Sequence, residues 1–504
     1  MKQRNYVPYL FSVLLAIGTL SSCDDILEVE PESQLSDEAY WQTNEDAALG
    51  VAAAYDAMQS AYRTKKFYWG EFRADNYIDS DAPQPNTQDL INNNLNPESS
   101  ADFLQWDALY TMIYRANLAI EKIQEIPYYE TQYLGEAYAM RAYAYFDAYR
   151  VWGGVPLFTE AALSFSEESI KPRATAQEVL DLVLSDIASA EENLTVISAR
   201  HTFSKTSLLA FKAQVLMYLN RYQEANEVLT SLIDSNLFSL ATSRTEWRNL
   251  FLNDEINYPG EGEEGPELIM SIRYDFEEDG NRASGIYTLF YPGVPSYWVS
   301  PELVDVWENK FPIDSTEWVA KYPNIPPHVV QVNEDSEEET YLYGDYRYYE
   351  SIDELGDTGE DLRVSKYHKT NISPSIDDTD IILFRYADML LLKAEALNQL
   401  GRPNEAIDII NQIREARELP LVNEGTVPDV VNVSDKDELE DFILSERRIE
   451  LLAEGNRWWD LVRTGKAVEI LGPINGQTEQ TISWPIWFRH LIDNPKLEQN
   501  DAYN

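Results

Sequence analysis

Four histidines, one cysteine and 87 acidic residues make up the chain's reactive inventory, and their spacing decides what chemistry is open. His201, His328, His368 and His490 lie far apart, with no HExxH or paired spacing from which a zinc site could be read. Paired carboxylates could run glycoside hydrolysis, but among 87 acids such pairs arise by chance and say nothing. GEGEEG, with Gly260, Gly262 and Gly265, satisfies GxGxxG; its three glutamates would repel a pyrophosphate, and no strand–helix context surrounds it. DFEEDGN, with Asp275, Glu277, Asp279 and Gly280, resembles the front of a calcium loop, but its twelfth position is Ile286, which has no carboxylate. A solvated acidic turn is the default there, and a surface Ca²⁺ is the alternative. No cofactor is specified by any of these patterns.

Aromatic residues are the richer signal: 12 Trp, 32 Tyr and 17 Phe. Most must be core, as Tyr138, Tyr143 and Tyr145 are within a helical stretch. Two groups fall in segments that read as loops. KKFYWGEFRADNYIDSD places Tyr68, Trp69 and Tyr77 beside Asp75 and Asn76, and GIYTLFYPGVPSYW places Tyr287, Tyr291, Tyr297 and Trp298 among Gly and Pro. Flat rings stack on the apolar C–H faces of sugars while neighbouring amides and carboxylates take hydroxyls, so these nine residues are the candidate ligand-binding set. The same surface would suit a peptide, and the competing reading is that these rings simply pack the loops onto the helices.

The lone cysteine, Cys23, follows a basic start (Lys2, Arg4), an apolar run from Tyr9 to Leu20, and Ser21-Ser22. That run is short for a membrane span and has the length of a signal-peptide core. Leu-Ser-Ser-Cys resembles a bacterial lipobox, so residues 1–22 are expected to be removed and Cys23 acylated. With 39 Lys+Arg against 87 Asp+Glu, a net charge of −48, the chain has no electrostatic drive toward nucleic acid or other polyanions; neutral or cationic partners stay open.

These residues need a frame. Residues 213–233 and 394–413 align without a gap at an offset of 181, with identical pairs such as Ala213/Ala394, Leu216/Leu397, Arg221/Arg402 and Glu224/Glu405. Small Ala lets helices approach and Leu at 3–4 spacing fills the seam, which predicts antiparallel hairpins of tetratricopeptide type. Helical patterns are also expected over 45–62, 102–126, 131–152, 175–193 and 436–453. Residues 257–377 turn rich in Pro, Gly, Tyr, Trp and acid, with strand-like pieces such as ELIMSIRY. The expected fold is mainly α, with hairpin-bearing helical parts at about 40–256 and 378–470 around a loop-rich, partly β insert, all within one domain spanning 23–504.

Three ordered C-terminal stretches carry a resemblance. RYADMLLLKAEALNQLGRPNEAIDIINQIREARELP, SERRIELLAEGNRWWDLVRTGKA and WPIWFRHLIDNPKLEQNDAY resemble the consecutive motifs of the SusD/RagB family of outer-membrane nutrient-binding lipoproteins. The family's E-R-R-x-E-L…E-G-x-R-x-x-D-L-x-R pattern falls on Glu446, Arg447, Arg448, Glu450, Leu451, Glu454, Gly455, Arg457, Asp460, Leu461 and Arg463. Alternating Glu and Arg with Trp458 and Trp459 reads as a structural ion-pair network near the core. The resemblance implies a tetratricopeptide-type frame holding a loop-rich ligand face, and no enzymatic activity. It also implies a SusC-type TonB-dependent transporter as partner, over which the protein would sit as a lid. Family members bind glycans most often and peptides sometimes; a helical assembly scaffold without a small ligand is the remaining alternative. Asp24, Asp25, Glu28, Glu30 and Glu32 resemble the acidic signal that sends such lipoproteins to the cell's outer face.

Overall fold

Helix starts in this chain are set by short polar side chains that satisfy the first free N–H groups. In the computed structural model, Thr43, Thr175 and Ser204 each accept from the backbone N–H three residues on, and Asp46, Glu178 and Ser207 reach back to close capping boxes. The structure describes residues 40–504 except 100, 162–169, 253–264, 276–282, 291–292, 294, 334–337, 356–360, 369–372, 374–375 and 423–430. The leader, Cys23 and the acids after it, most of GEGEEG, most of the DFEEDGN turn and Tyr291 lie outside the described residues.

The chain runs α1 (Asn44–Tyr62), α2 (Lys65–Gly70), β1 (Tyr77–Asp79), α3 (Pro85–Ile91), α4 (Asp107–Ile123), α5 (Thr131–Trp152), α6 (Ala176–Asn193), α7 (Lys205–Tyr218), α8 (Tyr222–Asp234) and α9 (Arg244–Asn249). Shorter elements follow: β2 (Leu268–Ile272), α10 (Ile286–Phe290), β3 (Tyr297–Val299), α11 (Pro301–Lys310), α12 (Ser315–Lys321), β4 (His328–Asn333), β5 (Glu338–Leu342), α13 (Tyr346–Ser351), β6 (Ile352–Glu354) and β7 (Leu362–Val364). The last part holds β8 (Ile381–Arg385), α14 (Tyr386–Gln399), α15 (Pro403–Ala416), α16 (Lys436–Glu450), α17 (Arg457–Arg463), α18 (Ala467–Asn475) and α19 (Phe488–Asp493). The architecture is mainly α, as the periodicity predicts.

The repeat resolves into two helical hairpins, α7–α8 and α14–α15, and α8 packs against α14. Ala213, Leu216, Ala394 and Leu397 are buried in the seams. Each hairpin turns through a left-handed residue at the equivalent position, Asn220 (φ 56°) and Gly401 (φ 73°). Asn and Gly are the two residues that adopt this conformation most readily. An Arg–Glu pair follows each turn, Arg221 Nε to Glu224 at 2.7 Å and Arg402 Nε to Glu405 at 2.6 Å.

Two expected helices are shorter in the structure. The 102–126 pattern breaks into a single 3₁₀ turn and α4, because the Trp106 N–H donates to His490 Nε2 at 3.3 Å instead of to the preceding turn. The 436–453 pattern stops at Glu450, since Ala453 takes φ 62°. The insert is more ordered than its composition suggests: four short helices lie among its described residues, and Trp307 and Trp318 are fully buried. Its ends meet where β2 pairs antiparallel with β8, Ile272 opposite Ile381. One buried apolar cluster runs from Trp41 to Ile486, and a smaller one fills the space between α14, α15 and α16.

Candidate ligand face and the clasp beneath it

Glu446, Glu450 and Glu454 recur every four residues, so they form one stripe along the end of α16 and the turn after it. Six buried cations converge on that stripe. Arg414 and Lys310 meet Glu446 at 2.5 and 3.0 Å. Arg385, Arg417 and Arg347 meet Glu450 at 2.7, 2.7 and 2.5 Å, and Lys366 meets Glu454 at 2.5 Å. Burial opposes ionisation of Glu450, but the guanidiniums of Arg417, Arg385 and Arg347 outweigh it and hold the carboxyl well below its usual range. Glu446 is lowered to about 2, where burial is again outweighed, here by Arg414 and Lys310. Lys366 is lowered to about 8 because burial exceeds the pull of Glu454. Lys310, Arg347 and Lys366 belong to the insert, so the network fastens the insert to the helical frame.

A second stripe faces the other way. Arg457 donates to Asp75 at 2.8 and 2.9 Å, and Arg448 lies 3.3 Å from the same carboxylate. Arg448 Nε also donates to the Asn76 amide oxygen at 2.8 Å, while Asn76 Nδ2 donates to Glu71 Oε1 at 2.8 Å. Glu71 accepts further from the backbone N–H groups of Ala453 and Gly455, at 3.0 and 2.9 Å, and from the Tyr77 hydroxyl at 3.3 Å. Burial raises the Glu71 carboxyl, and these donors offset part of that rise. Gly455 has to be glycine twice over. Its φ is 75°, and a Cβ there would sit 2.9 Å from the Lys66 carbonyl oxygen.

This clasp corrects part of the candidate ligand set. Trp69 is buried with its indole N–H donating to the Phe103 carbonyl at 2.8 Å. Asp75 and Asn76 are consumed by Arg448 and Arg457. Tyr77 and Tyr297 are buried edge to face, 4.7 Å between centroids, within the apolar cluster. KKFYWG is helix α2, not loop, and its polar neighbours are internal ion-pair partners. Sequence reasoning missed Glu71, whose only signal was the glycine-bearing turn it caps some 380 residues later.

Tyr68, Tyr287 and Trp298 remain. Tyr68 is half-buried on α2 against Phe72 and Phe103. Tyr287 is half-buried at the start of α10, its backbone N–H donating to Asp377 Oδ2 at 2.6 Å. Trp298 sits on β3 opposite Ile78 of β1. Alternation puts that pair on the face away from Tyr77 and Tyr297; Ile78 is 38% exposed there, whereas Trp298 is buried, 6% exposed. Asp79, which alternation puts on the Tyr77–Tyr297 side, accepts from Asn92 Nδ2 at 2.8 Å, and β7, beside β3, carries Arg363 paired with Asp353 at 2.8 Å. His368 nearby is lowered to about 4 by burial and by Arg363, so it is neutral at pH 7. Among the described residues no group of three or more His, Cys, Asp or Glu is placed to hold a metal ion.

Residues 305–503 match the SusD family, and residues 25–219 match a family described as starch-binding and associating with the outer membrane. SusD-like protein P38 of Formosa agariphila is 74% identical over 503 residues, covering 100% of both chains. The chain belongs to the SusD family. A second relative from that organism, SusD-like protein P2, is 25% identical over 94% of this chain and 93% of its own. Among solved structures, a laminarin-binding SusD-like protein superposes with a TM-score of 0.65 at 23% identity, over 92% of this chain and 100% of its own. A SusD superfamily protein from Bacteroides thetaiotaomicron gives 0.66 at 22% identity, over 92% and 99%. The Glu–Arg clasp is the part of the family motif that builds the frame. No helix among the described residues is long and apolar enough to cross a membrane.

Proposed function

We propose that this protein is a surface lipoprotein, acylated at Cys23, that captures oligosaccharides and hands them to a SusC-type TonB-dependent transporter on which it acts as a lid, without turning them over. The observation that carries this reading is family membership, which the 74%-identical, full-length relative establishes. The half-buried Tyr68 and Tyr287, with exposed Ile78, supply the accessible ring and apolar surface such a role needs. A net charge of −48, which disfavours polyanions, agrees with a neutral glycan. The test has two arms. An oligosaccharide screen of the protein lacking its leader should give micromolar to millimolar binding with no released product. Affinity purification of the full-length chain from outer membranes should bring down a TonB-dependent barrel. A screen without binding, together with a pull-down without the barrel, overturns the proposal.

A further inference from the structure

Away from the loop aromatics, a cavity of about 420 Å³ opens between α1, the segment leading into α7, and β2. That volume lies within the range of small-molecule sites, which run from roughly 300 to 1,000 Å³. Its inner wall is apolar, made by the buried side chains of Met58, Met270 and Ile272. Its outer wall is polar: Asp56, Gln59, His201 and Arg273, with the ring of Tyr55.

These walls are fixed before any ligand arrives. The Tyr55 hydroxyl accepts the Phe203 N–H at 2.7 Å, and Asp56 Oδ2 takes Arg115 Nη1 at 2.5 Å. Gln59 Nε2 donates to the Arg273 carbonyl at 2.7 Å. Ser271 Oγ donates to Asp380 Oδ2 at 3.0 Å and lies 3.2 Å from His201 Nδ1. A preformed site avoids the ordering cost of closing around its ligand. The Ser–His–Asp grouping is not hydrolytic. Asp380 and His201 both meet the one hydroxyl instead of acting in series through the imidazole, and Ser271 is fully buried. The rim charges are balanced, with Asp56 against Arg115 and Arg273 against Asp275 at 2.8 Å. An ion of either sign would therefore gain little, whereas a sugar would lay its C–H face on the half-buried Tyr55 ring and its hydroxyls on the rim.

We infer that this crevice is a second carbohydrate-binding site, taking one or two neutral sugar residues and distinct from the Ile78–Trp298 face. It rests on the glycan reading for its ligand class but not for its location. Two sites on one rigid frame would hold a long polysaccharide more tightly than either alone, because the second contact is intramolecular.

The test uses the leaderless protein and, as probes, methyl glycosides of glucose, galactose, mannose and xylose with maltose, cellobiose and laminaribiose. Ala52 is exposed on α1 at the mouth of the cavity, so Ala52→Trp plugs it without touching the core; Gln59→Ala removes a rim amide. Saturation-transfer NMR titration should show at least a tenfold loss for Ala52→Trp and a smaller one for Gln59→Ala, at unchanged melting temperature. Tyr287→Ala should keep this binding, and soaked crystals should show sugar against Tyr55. Affinity lost in Tyr287→Ala but untouched in Ala52→Trp and Gln59→Ala overturns the second site and leaves the glycan reading standing. No binding of any probe to any variant overturns both.

Discussion

The clasp at Glu446–Glu450–Glu454 and the face at Ile78–Trp298 use their polar residues in opposite ways. In the clasp every carboxylate is buried and met by two or more cations or backbone donors, so its charges are internal and its residue types are tightly constrained. On the face, Ile78 stays exposed over a buried Trp298, and the nearby polar groups are one Arg–Asp pair, one carboxylate–amide pair and a neutral imidazole. A charged stretch in this chain therefore says frame when its partners are buried, and ligand only when they are not. The Asp75–Asn76 pair looked like ligand chemistry in the sequence and belongs to the frame.

Substitutions can break that contrast, and the largest effects should fall in the clasp. Glu450→Ala would leave three buried guanidiniums without their shared partner, a loss expected to cost about 3–5 kcal/mol. Chemical denaturation should show this as a lowered midpoint with the slope retained. Trp69→Ala removes a buried indole and should likewise cost about 3–5 kcal/mol of stability. Any fall in ligand binding should track the unfolded fraction, and a stable Trp69→Ala protein that selectively loses binding would return Trp69 to the ligand face.

Acid reaches the two regions in different windows: holding His368 of the face neutral costs stability between about pH 6.5 and about 4, and the clasp gives way below that. Glu446, Glu450, Glu454 and Asp75 all have folded pKa values below their ordinary ones. Their stabilisation is thus complete above the ordinary carboxylate range, near pH 4.5, and is lost as pH falls toward about 2. Glu71 and Asp460, raised by burial, work in the opposite sense but are fewer. Melting temperature followed from pH 6 to 2.5 should fall steeply below about 4.5; a flat profile would mean that the network carries no net stability. The smallest effect on folding and the most selective effect on binding belong to Tyr287→Ala, since that ring is only half-buried. It should weaken oligosaccharide binding about tenfold, roughly 1.4 kcal/mol, with the frame intact.

The helical frame was legible because Ala and Leu recur at helical spacing and the hairpin repeats itself, down to the left-handed Asn220 and Gly401. The ionic character of the clasp was legible from alternating Glu and Arg. Its partners were not: Glu71, Asp75, Arg347 and Lys366 lie from about 80 to 380 residues away, and nothing local marks them as buried. The same physics hid Trp69. Its neighbours Glu71, Arg73 and Asp75 give the stretch a loop-like composition, yet each is buried and matched, so a polar segment becomes core. Ring burial on β1 and β3 depends on which side of a three-residue strand faces in, and Gly- and Pro-rich flanks carry too little alternation to show it. The crevice of Gln59, His201 and Arg273 left no trace in the sequence, since its walls come from three distant segments.

The most direct test of the account is an oligosaccharide titration of the protein lacking residues 1–22 beside its Tyr287→Ala and Trp69→Ala variants, read together with melting temperature. The account predicts saturable glycan binding without product release, weakened in Tyr287→Ala at near-native stability, while Trp69→Ala loses stability first. Binding that is unaffected by Tyr287→Ala and abolished in a fully folded Trp69→Ala protein would contradict it.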